Sequence, residues 1–154
     1  YTGNYLRTEG TNGVLNFGKQ FTQRPTRLKG YFKYTSVEIN KSNDEMKYLI
    51  GQPDTCQIFI ALGDWSEPVE IRTKPSDRKL FDKNDPHIIA YADMYSGKSV
   101  TEYTPFTLEL EYRDTDRIPT YIVIVASASK YGDYFTGGDG SVLFLDDFTL
   151  EYDY

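Results

Sequence analysis

The sequence predicts an all-β protein, an antiparallel jelly-roll β-sandwich. Three observations carry this prediction. Apolar and polar residues alternate with period two in several segments, and aromatic and β-branched residues fill those segments. No window shows a helical period. Loops rich in glycine, proline, asparagine and aspartate separate about eight short strands with no β-α-β alternation, a pattern typical of sandwiches and barrels.

The strands follow in order along the chain. The clearest runs from Tyr103 to Arg113, where Phe106, Leu108 and Leu110 share one face and polar residues share the other. A weaker strand is predicted at 14–21, and a helical turn is allowed within 43–49. The remaining strands are predicted at 27–35, 56–62, 69–73, 87–93, 120–129 and 141–152.

Length and charge narrow the class of protein. The 154 residues suit a single domain, residues 1–154. With 23 acidic and 17 basic residues the formal charge is −6, so nucleic acid is not an expected partner. The longest apolar run is far shorter than the roughly 20 residues that a membrane-spanning helix needs, so no transmembrane segment is predicted.

The ends and the single cysteine say little about location. Cys56 has no partner for an intrachain disulfide, and it reads as a small buried apolar residue. Tyr1 stands where an initiator methionine would be expected, which indicates a processed or excised segment. We therefore expect the C-terminal part of a longer protein.

A carboxylate is predicted to point inward from the last strand. Asp146 shares a phase with Phe144 and Phe148, and a buried carboxylate needs a cation or hydrogen-bond donors. One interpretation is a structural Ca²⁺ site in which Asp146 and Asp139 are ligands; the other is backbone hydrogen bonds alone. If a bulge breaks the alternation, Asp147 takes the inward position.

Four aromatic residues lie in polar loops rather than in strands. They are Trp65, Tyr95, Tyr131 and Tyr134. Flat rings in loops suit stacking on sugar rings, and we expect these four to form one ligand-binding surface. The alternative for each is an exposed or half-buried ring without function.

The residues give little indication of catalysis. His87 is the only histidine, so a triad or a multi-histidine metal site is not expected, and a turn histidine is the simpler interpretation. Glycoside hydrolysis needs only two carboxylates at a suitable separation, and 23 acidic residues always allow some pair. No catalytic residue is assigned.

Three segments carry a resemblance to a known family: FGKQFTQRPTRLKGYFKYTS, PTYIVIVASASKYGDYFTGGDGS and LDDFTLEY. From about residue 18 to residue 152 the chain resembles the carbohydrate-metabolism domain of Bacteroidetes surface and secreted proteins. The resemblance implies a galactose-binding-like jelly roll, similar to carbohydrate-binding modules. It also implies an exported protein at the cell surface or in the periplasm, whose N-terminal part is often immunoglobulin-like.

Two functional hypotheses from different classes follow. The first is a non-catalytic carbohydrate-binding or glycan-utilisation module, with a glycan as ligand and other outer-membrane glycan-utilisation proteins as partners. The second is a glycoside hydrolase domain that uses an Asp/Glu pair. A structural spacer domain is a third alternative.

Overall fold

A computed structural model describes residues 14–153, and it confirms the predicted all-β class with antiparallel pairing. The described residues form ten strands and three short 3₁₀ helices. The strands are β1 (Val14–Phe17), β2 (Lys19–Gln20), β3 (Arg27–Thr35), β4 (Cys56–Gly63), β5 (Val69–Arg72), β6 (Ile88–Ser96), β7 (Val100–Glu109), β8 (Glu111–Tyr112), β9 (Tyr121–Ser127) and β10 (Val142–Glu151). The 3₁₀ helices are Asp44–Leu49, Pro75–Asp77 and Gly132–Tyr134.

The strands form three sheets, with the orders β1-β5, β10-β3-β7 and β2-β9-β4-β6-β8. The strand predicted at 14–21 is split at Gly18, whose φ of +112 favours glycine. The predicted turn within 43–49 is a 3₁₀ helix, and the Asn43 side chain accepts a hydrogen bond from the Met46 N–H at its start. No helix in residues 14–153 is long and apolar enough to span a bilayer.

The chain divides into two compact units. The first comprises residues 14–23, 61–91 and 112–123 of the described chain. In this unit β1 pairs with β5, so that Val14 lies opposite Arg72 and Phe17 opposite Val69. Its core holds the buried side chains Leu62, Trp65, Ile71, Ile88, Ile89 and Val123.

The second unit comprises residues 24–60, 92–111 and 124–153. Its three-stranded sheet has β3 between β10 and β7. The central part of β3 contains Gly30. Only glycine fits there, because the rings of Phe106 and Phe148 occupy the space that a Cβ would need. Those two rings meet edge to face, with centroids 5.4 Å apart. The buried side chains of this unit include Leu28, Phe32, Tyr34, Ile58 and Leu108.

The prediction that Asp146 points inward is wrong. The pairing of β10 with β3 shifts register between Asp146 and Thr149, and Asp147 has a positive φ of 50. The one extra residue in this bulge moves every later side chain to the other face of the sheet. Asp146 precedes the bulge, so it does not share a face with the apolar residues that follow at even positions. Asp146 is exposed beside the exposed Phe144, and Asp147 is exposed as well.

Candidate functional site

Among residues 14–153 the buried carboxylate is Asp54, which is 1% exposed and lies just before β4. One of its oxygens accepts a hydrogen bond from the Thr55 N–H at 2.8 Å. The other accepts from the Ser129 hydroxyl at 2.6 Å and from the Gly138 N–H at 2.8 Å. These three donors supply the hydrogen bonds that a buried carboxylate requires, so its burial does not call for a metal ion. Asp54 therefore holds both ends of the loop that joins β9 to β10.

Further contacts fix the same loop along its length. The Lys130 N–H donates to the Thr55 carbonyl at 2.7 Å, and Lys41 exchanges backbone hydrogen bonds with Gly137. Thr136 is 2% exposed. Phe135 adopts a left-handed conformation, with φ 53, at the end of the 3₁₀ helix Gly132–Tyr134. The loop is thus tied to the rest of its unit by backbone and side-chain bonds at several points.

This fixed loop brings two of the four predicted rings together. The ammonium group of Lys130 lies 4.5 Å from the centroid of the Tyr95 ring and 5.1 Å from that of the Tyr131 ring. Tyr95, near the end of β6, is 43% exposed, and Tyr131 is half-buried. We call Tyr95, Lys130 and Tyr131 the tyrosine platform. It presents two aromatic rings and a positive charge on the surface.

Polar side chains from β4 and β6 border the platform. The Gln57 amide donates to the Tyr95 hydroxyl at 3.3 Å, and that hydroxyl donates to an Asp93 carboxylate oxygen at 3.1 Å. Partial burial, together with the charge of Asp93, raises the pKa of Tyr95. The phenol therefore stays protonated at neutral pH, and amide, hydroxyl and carboxylate groups lie side by side at one ring.

Tyr134 and Trp65 are placed differently from these two. Tyr134 is half-buried in the single turn of helix that follows Tyr131, and its N–H donates to the Tyr131 carbonyl. Trp65 belongs to the first unit and is 8% exposed. Its ring packs on Gly63 and against Phe81, so the expectation of an exposed loop ring is wrong for Trp65. Its indole N–H donates to Asp85, so the residue is a core anchor.

The first unit contains a cleft of about 610 Å³, which sequence analysis did not predict. We call it the acidic cleft and define it by Trp65, Glu67, Glu70, Lys79, Asp85 and His87. Asp85 shapes its wall, because one oxygen accepts from the Trp65 indole at 2.9 Å and the other from the His87 N–H at 2.9 Å. Its volume falls within the range usual for small-molecule sites.

The imidazole of His87 is held at the cleft by a chain of charged groups. Its Nδ1 lies 2.8 Å from Asp64, whose second oxygen accepts from Arg117 at 3.0 Å. Arg117 also donates to Asp114 at 2.8 Å. Burial tends to raise the pKa of Asp64, but the hydrogen bonds from His87 and Arg117 lower it overall. The interpretation of His87 as an isolated turn histidine missed this network, because Asp64 and His87 are 23 residues apart.

The residues proposed for calcium do not form a ligand set. Asp146 accepts a hydrogen bond from the Asp147 N–H, and the Asp139 N–H donates to the Asn40 side chain. Within residues 14–153, no three histidine, cysteine, aspartate or glutamate side chains are grouped closely enough to hold a metal ion. Calcium normally takes six to eight oxygen ligands. The geometry at Asp146 therefore gives no support to a calcium site there.

Two solved structures resemble this fold. One is described as a putative glycoside hydrolase from Bacteroides thetaiotaomicron VPI-5482, with a TM-score of 0.70 and 26% identity. The match covers 91% of this chain and 41% of that chain. The other is described as a putative glycoside hydrolase from Bacteroides vulgatus ATCC 8482, with a TM-score of 0.68 and 24% identity, covering 88% of this chain and 55% of that one. The chain thus spans about half the length of these neighbours.

The family can be assigned from the sequence match. No curated protein matches the chain closely enough to count as a relative. The family model described as "Putative carbohydrate metabolism domain" matches residues 1–151, nearly the whole chain, which confirms the resemblance carried by the three segments. The chain belongs to the family of putative carbohydrate metabolism domains.

Proposed function

We propose that this chain is a non-catalytic carbohydrate-binding domain and that the tyrosine platform is its glycan site. The observation that carries the proposal is the exposed Tyr95 ring, held beside Tyr131 by Lys130 and bordered by Gln57 and Asp93. Sugar rings have apolar C–H faces and polar hydroxyl edges. A surface with an aromatic face and an adjoining row of amide and carboxylate groups complements both.

The rigidity of the loop supports this use of the platform. Asp54 fixes the loop at Ser129 and Gly138, on either side of Tyr131. A preformed site loses little conformational entropy when a ligand arrives, so a few contacts suffice for a measurable affinity. We expect modest affinity, since two rings and three polar side chains form the site.

The lowered pKa of Glu70, one of the carboxyl groups at the acidic cleft, favours binding over hydrolysis at this residue. A glycosidase needs a general acid, which is a carboxyl group whose pKa is raised. The hydrogen bond from Arg72 lowers the pKa of Glu70. The pKa of Asp64, next to His87, is lowered as well, because hydrogen bonds from His87 and Arg117 outweigh its burial. Both groups are thus stabilised as carboxylates, but Glu70 alone of the two lines the cleft, where it suits accepting hydrogen bonds from hydroxyl groups.

A glycoside hydrolase domain is the second candidate. It is favoured by the descriptions of the two solved structures and by the grouping of Glu67, Glu70 and Asp85 at one cleft. Because the chain spans about half of each neighbour, activity in those proteins can require residues outside the matched part. A spacer role is the remaining alternative, and it predicts no glycan binding by any surface.

The test compares the 154-residue chain with single substitutions on an array of plant, host and microbial polysaccharides, with release of reducing sugar measured in parallel. Tyr95→Ala and Tyr131→Ala should each weaken binding about tenfold or more, the factor that about 1.4 kcal/mol represents. Tyr103→Ala is the matched control, because Tyr103 is 47% exposed and its ring also contacts a lysine ammonium, that of Lys33.

Three results would contradict the proposal. One is binding that survives both platform substitutions unchanged, which would move the site elsewhere. Another is an equal loss with Tyr103→Ala, which would indicate nonspecific adsorption to exposed rings. The third is release of reducing sugar that a single Asp or Glu substitution abolishes, which would establish the hydrolase.

We also propose an exported setting, at the cell surface or in the periplasm, with outer-membrane glycan-utilisation proteins as partners. The family resemblance supports this proposal. Fractionation of the native host cells, followed by detection of the full-length protein, tests it, and recovery in the cytoplasmic fraction would contradict it.

A further inference from the structure

The acidic cleft is a concave polar surface of the first unit, and the tyrosine platform does not use it. Its lining combines carboxylates, an ammonium group and an imidazole with the edge of an indole ring. We propose that this cleft is a second, independent saccharide site and that it takes neutral rather than acidic sugar residues. The proposal goes beyond the proposed function, because it requires nothing of Tyr95 or Tyr131.

The cleft is preformed. Trp65 cannot swing into it, because Gly63 and Phe81 enclose the ring and Asp85 accepts its N–H. The backbone of Trp65 is fixed as well, since the Thr120 hydroxyl donates to its carbonyl at 2.6 Å. A ligand would therefore meet a wall that does not need to reorganise.

His87 offers one ring nitrogen to a ligand. A carboxylate can only accept, so the 2.8 Å contact with Asp64 places the proton on Nδ1 when the ring is neutral. Nε2 is then the acceptor nitrogen, and the side chain is 60% exposed. Arg117 holds Asp64 in turn, so the imidazole has a fixed orientation. An oriented acceptor is the group that a sugar hydroxyl needs.

The charges select the class of sugar. Glu70 is offset by Arg72, whose Nε lies 2.7 Å from it. The remaining charged side chains of the lining are two carboxylates, Glu67 and Asp85, and one ammonium group, Lys79. The excess negative charge would repel a uronate or a sulfated sugar. Carboxylates accept hydrogen bonds from pairs of hydroxyl groups, and neutral sugars supply such pairs.

Backbone amide NMR of the ¹⁵N-labelled chain tests the site directly. The probes are xylotriose, cellotriose and galactotriose as neutral trisaccharides, and trigalacturonate as an acidic one of the same length. We expect at least one neutral probe to shift the amide signals of Ser66, Glu67 and Glu70, and trigalacturonate to leave them in place. The shifts should persist in the double variant Tyr95→Ala/Tyr131→Ala.

A matched pair of variants checks the role of the cleft. Glu67→Gln removes an exposed carboxylate and should weaken binding of the neutral probe at least fivefold. Asp116→Asn removes an exposed carboxylate of the same unit that does not line the cleft, and it should have no effect. Circular dichroism confirms that both variants remain folded.

The outcomes separate this inference from the proposed function. If no neutral probe shifts these amides, or if trigalacturonate shifts them equally, the inference is overturned while the platform can still bind. The inference also fails if the shifts vanish in the platform double variant or if Glu67→Gln binds as the wild type does. If the cleft amides shift but the platform substitutions leave array binding unchanged, the proposed function fails and the inference stands.

Discussion

Asp54 and Ser129 are joined by a hydrogen bond of 2.6 Å between a buried carboxylate oxygen and a hydroxyl group. The two residues are 75 positions apart, and Ser129 lies in the SASKYGDYFTGGDGS stretch that carries much of the family resemblance. This stretch is built around Asp54, which also accepts from Gly138 within it. The hydrogen bonds to Asp54 thus give a structural reason for Ser129 and Gly138 within this stretch.

Asp54→Asn should destabilise the chain by about 1–3 kcal/mol, because the amide keeps the shape of the side chain but replaces one of its two acceptor oxygens with an NH2 donor, so that at least one of the three donors loses its acceptor. Urea unfolding, followed by tryptophan fluorescence, measures the change. Asp139→Asn is the control, since that side chain is exposed. We expect its free energy of unfolding to lie within about 0.5 kcal/mol of the wild-type value. Equal effects from the two variants would contradict the anchoring role of Asp54.

Chelation of divalent ions should leave the melting temperature of the chain unchanged. Asp146 is exposed, and hydrogen bonds satisfy Asp54 without an ion. Differential scanning calorimetry with and without EDTA measures this, and Asp146→Asn should likewise have little effect. A fall of several degrees on chelation, restored by added calcium, would reinstate a calcium site.

Gly137→Ala should destabilise the loop, because a Cβ at this position would lie 2.6 Å from the Ser129 hydroxyl oxygen and displace it from Asp54. Gly132→Ala is the matched control in the same loop, since no atom lies within 4 Å of the point that a Cβ would occupy there. Thermal unfolding compares the two variants. We expect a clearly lower melting temperature for Gly137→Ala alone, and similar values for both would contradict the packing argument.

Trp65→Ala should cost about 3–5 kcal/mol of stability, as expected for removal of a large buried ring. Trp65→Phe keeps much of the packing but loses the hydrogen bond to Asp85, so its loss should be smaller. Tyr48→Ala, at a ring that is 69% exposed, serves as the surface control. If Trp65→Ala instead left the stability unchanged, the ring would not be the core anchor that its burial indicates.

Stability should fall as the pH drops from about 4 towards 2, in part through Asp64 and Asp114. Hydrogen bonds from the backbone N–H groups of Arg117 and Asp116 and from the Arg117 side chain lower the pKa of Asp114 to about 2. The unfolded chain, with aspartate pKa values near 3.9, therefore takes up protons first as the pH falls. This contribution is complete above about pH 4 and is lost below it.

Arg117→Met provides the control for that pH dependence. Without the guanidinium both carboxyl groups lose a donor, so the stability of the variant should change less steeply between pH 4 and pH 2. Urea unfolding at several pH values measures the slopes. If stability falls equally steeply between pH 4 and pH 2 in the wild type and in Arg117→Met, this network does not govern the loss of stability in acid.

Sequence alternation located most strands well, as at β3, where buried residues alternate with exposed or half-buried ones. The strand at 27–35 agrees at both ends with β3, and the strand at 141–152 contains β10. Alternation could not place the bulge at Asp147, since residues 142–145 are apolar at every position and show no alternation whose phase could be compared across the bulge. The predicted inward facing of Asp146 was therefore wrong, and the buried carboxylate Asp54 was not predicted.

The candidate site was predictable only in part. Tyr95 and Tyr131 stood out because they are aromatic residues in polar loops, and the structure brings them together. Trp65 carried the same signal but is buried, since a neighbouring glycine leaves room beneath its ring. The network that holds His87 at the acidic cleft has no local signal, because Asp64, His87 and Arg117 meet only through the fold.

The attachment of Lys130 limits how this surface can be altered. The residue holds the loop through its backbone and lies against the two rings through its side chain, so the loop supplies a fixed frame. Gln57 and Asp93, by contrast, reach the Tyr95 hydroxyl from β4 and β6, outside the loop. Under the proposed function, a change in the preferred sugar would require substitutions at these two strand positions only, with the loop left intact.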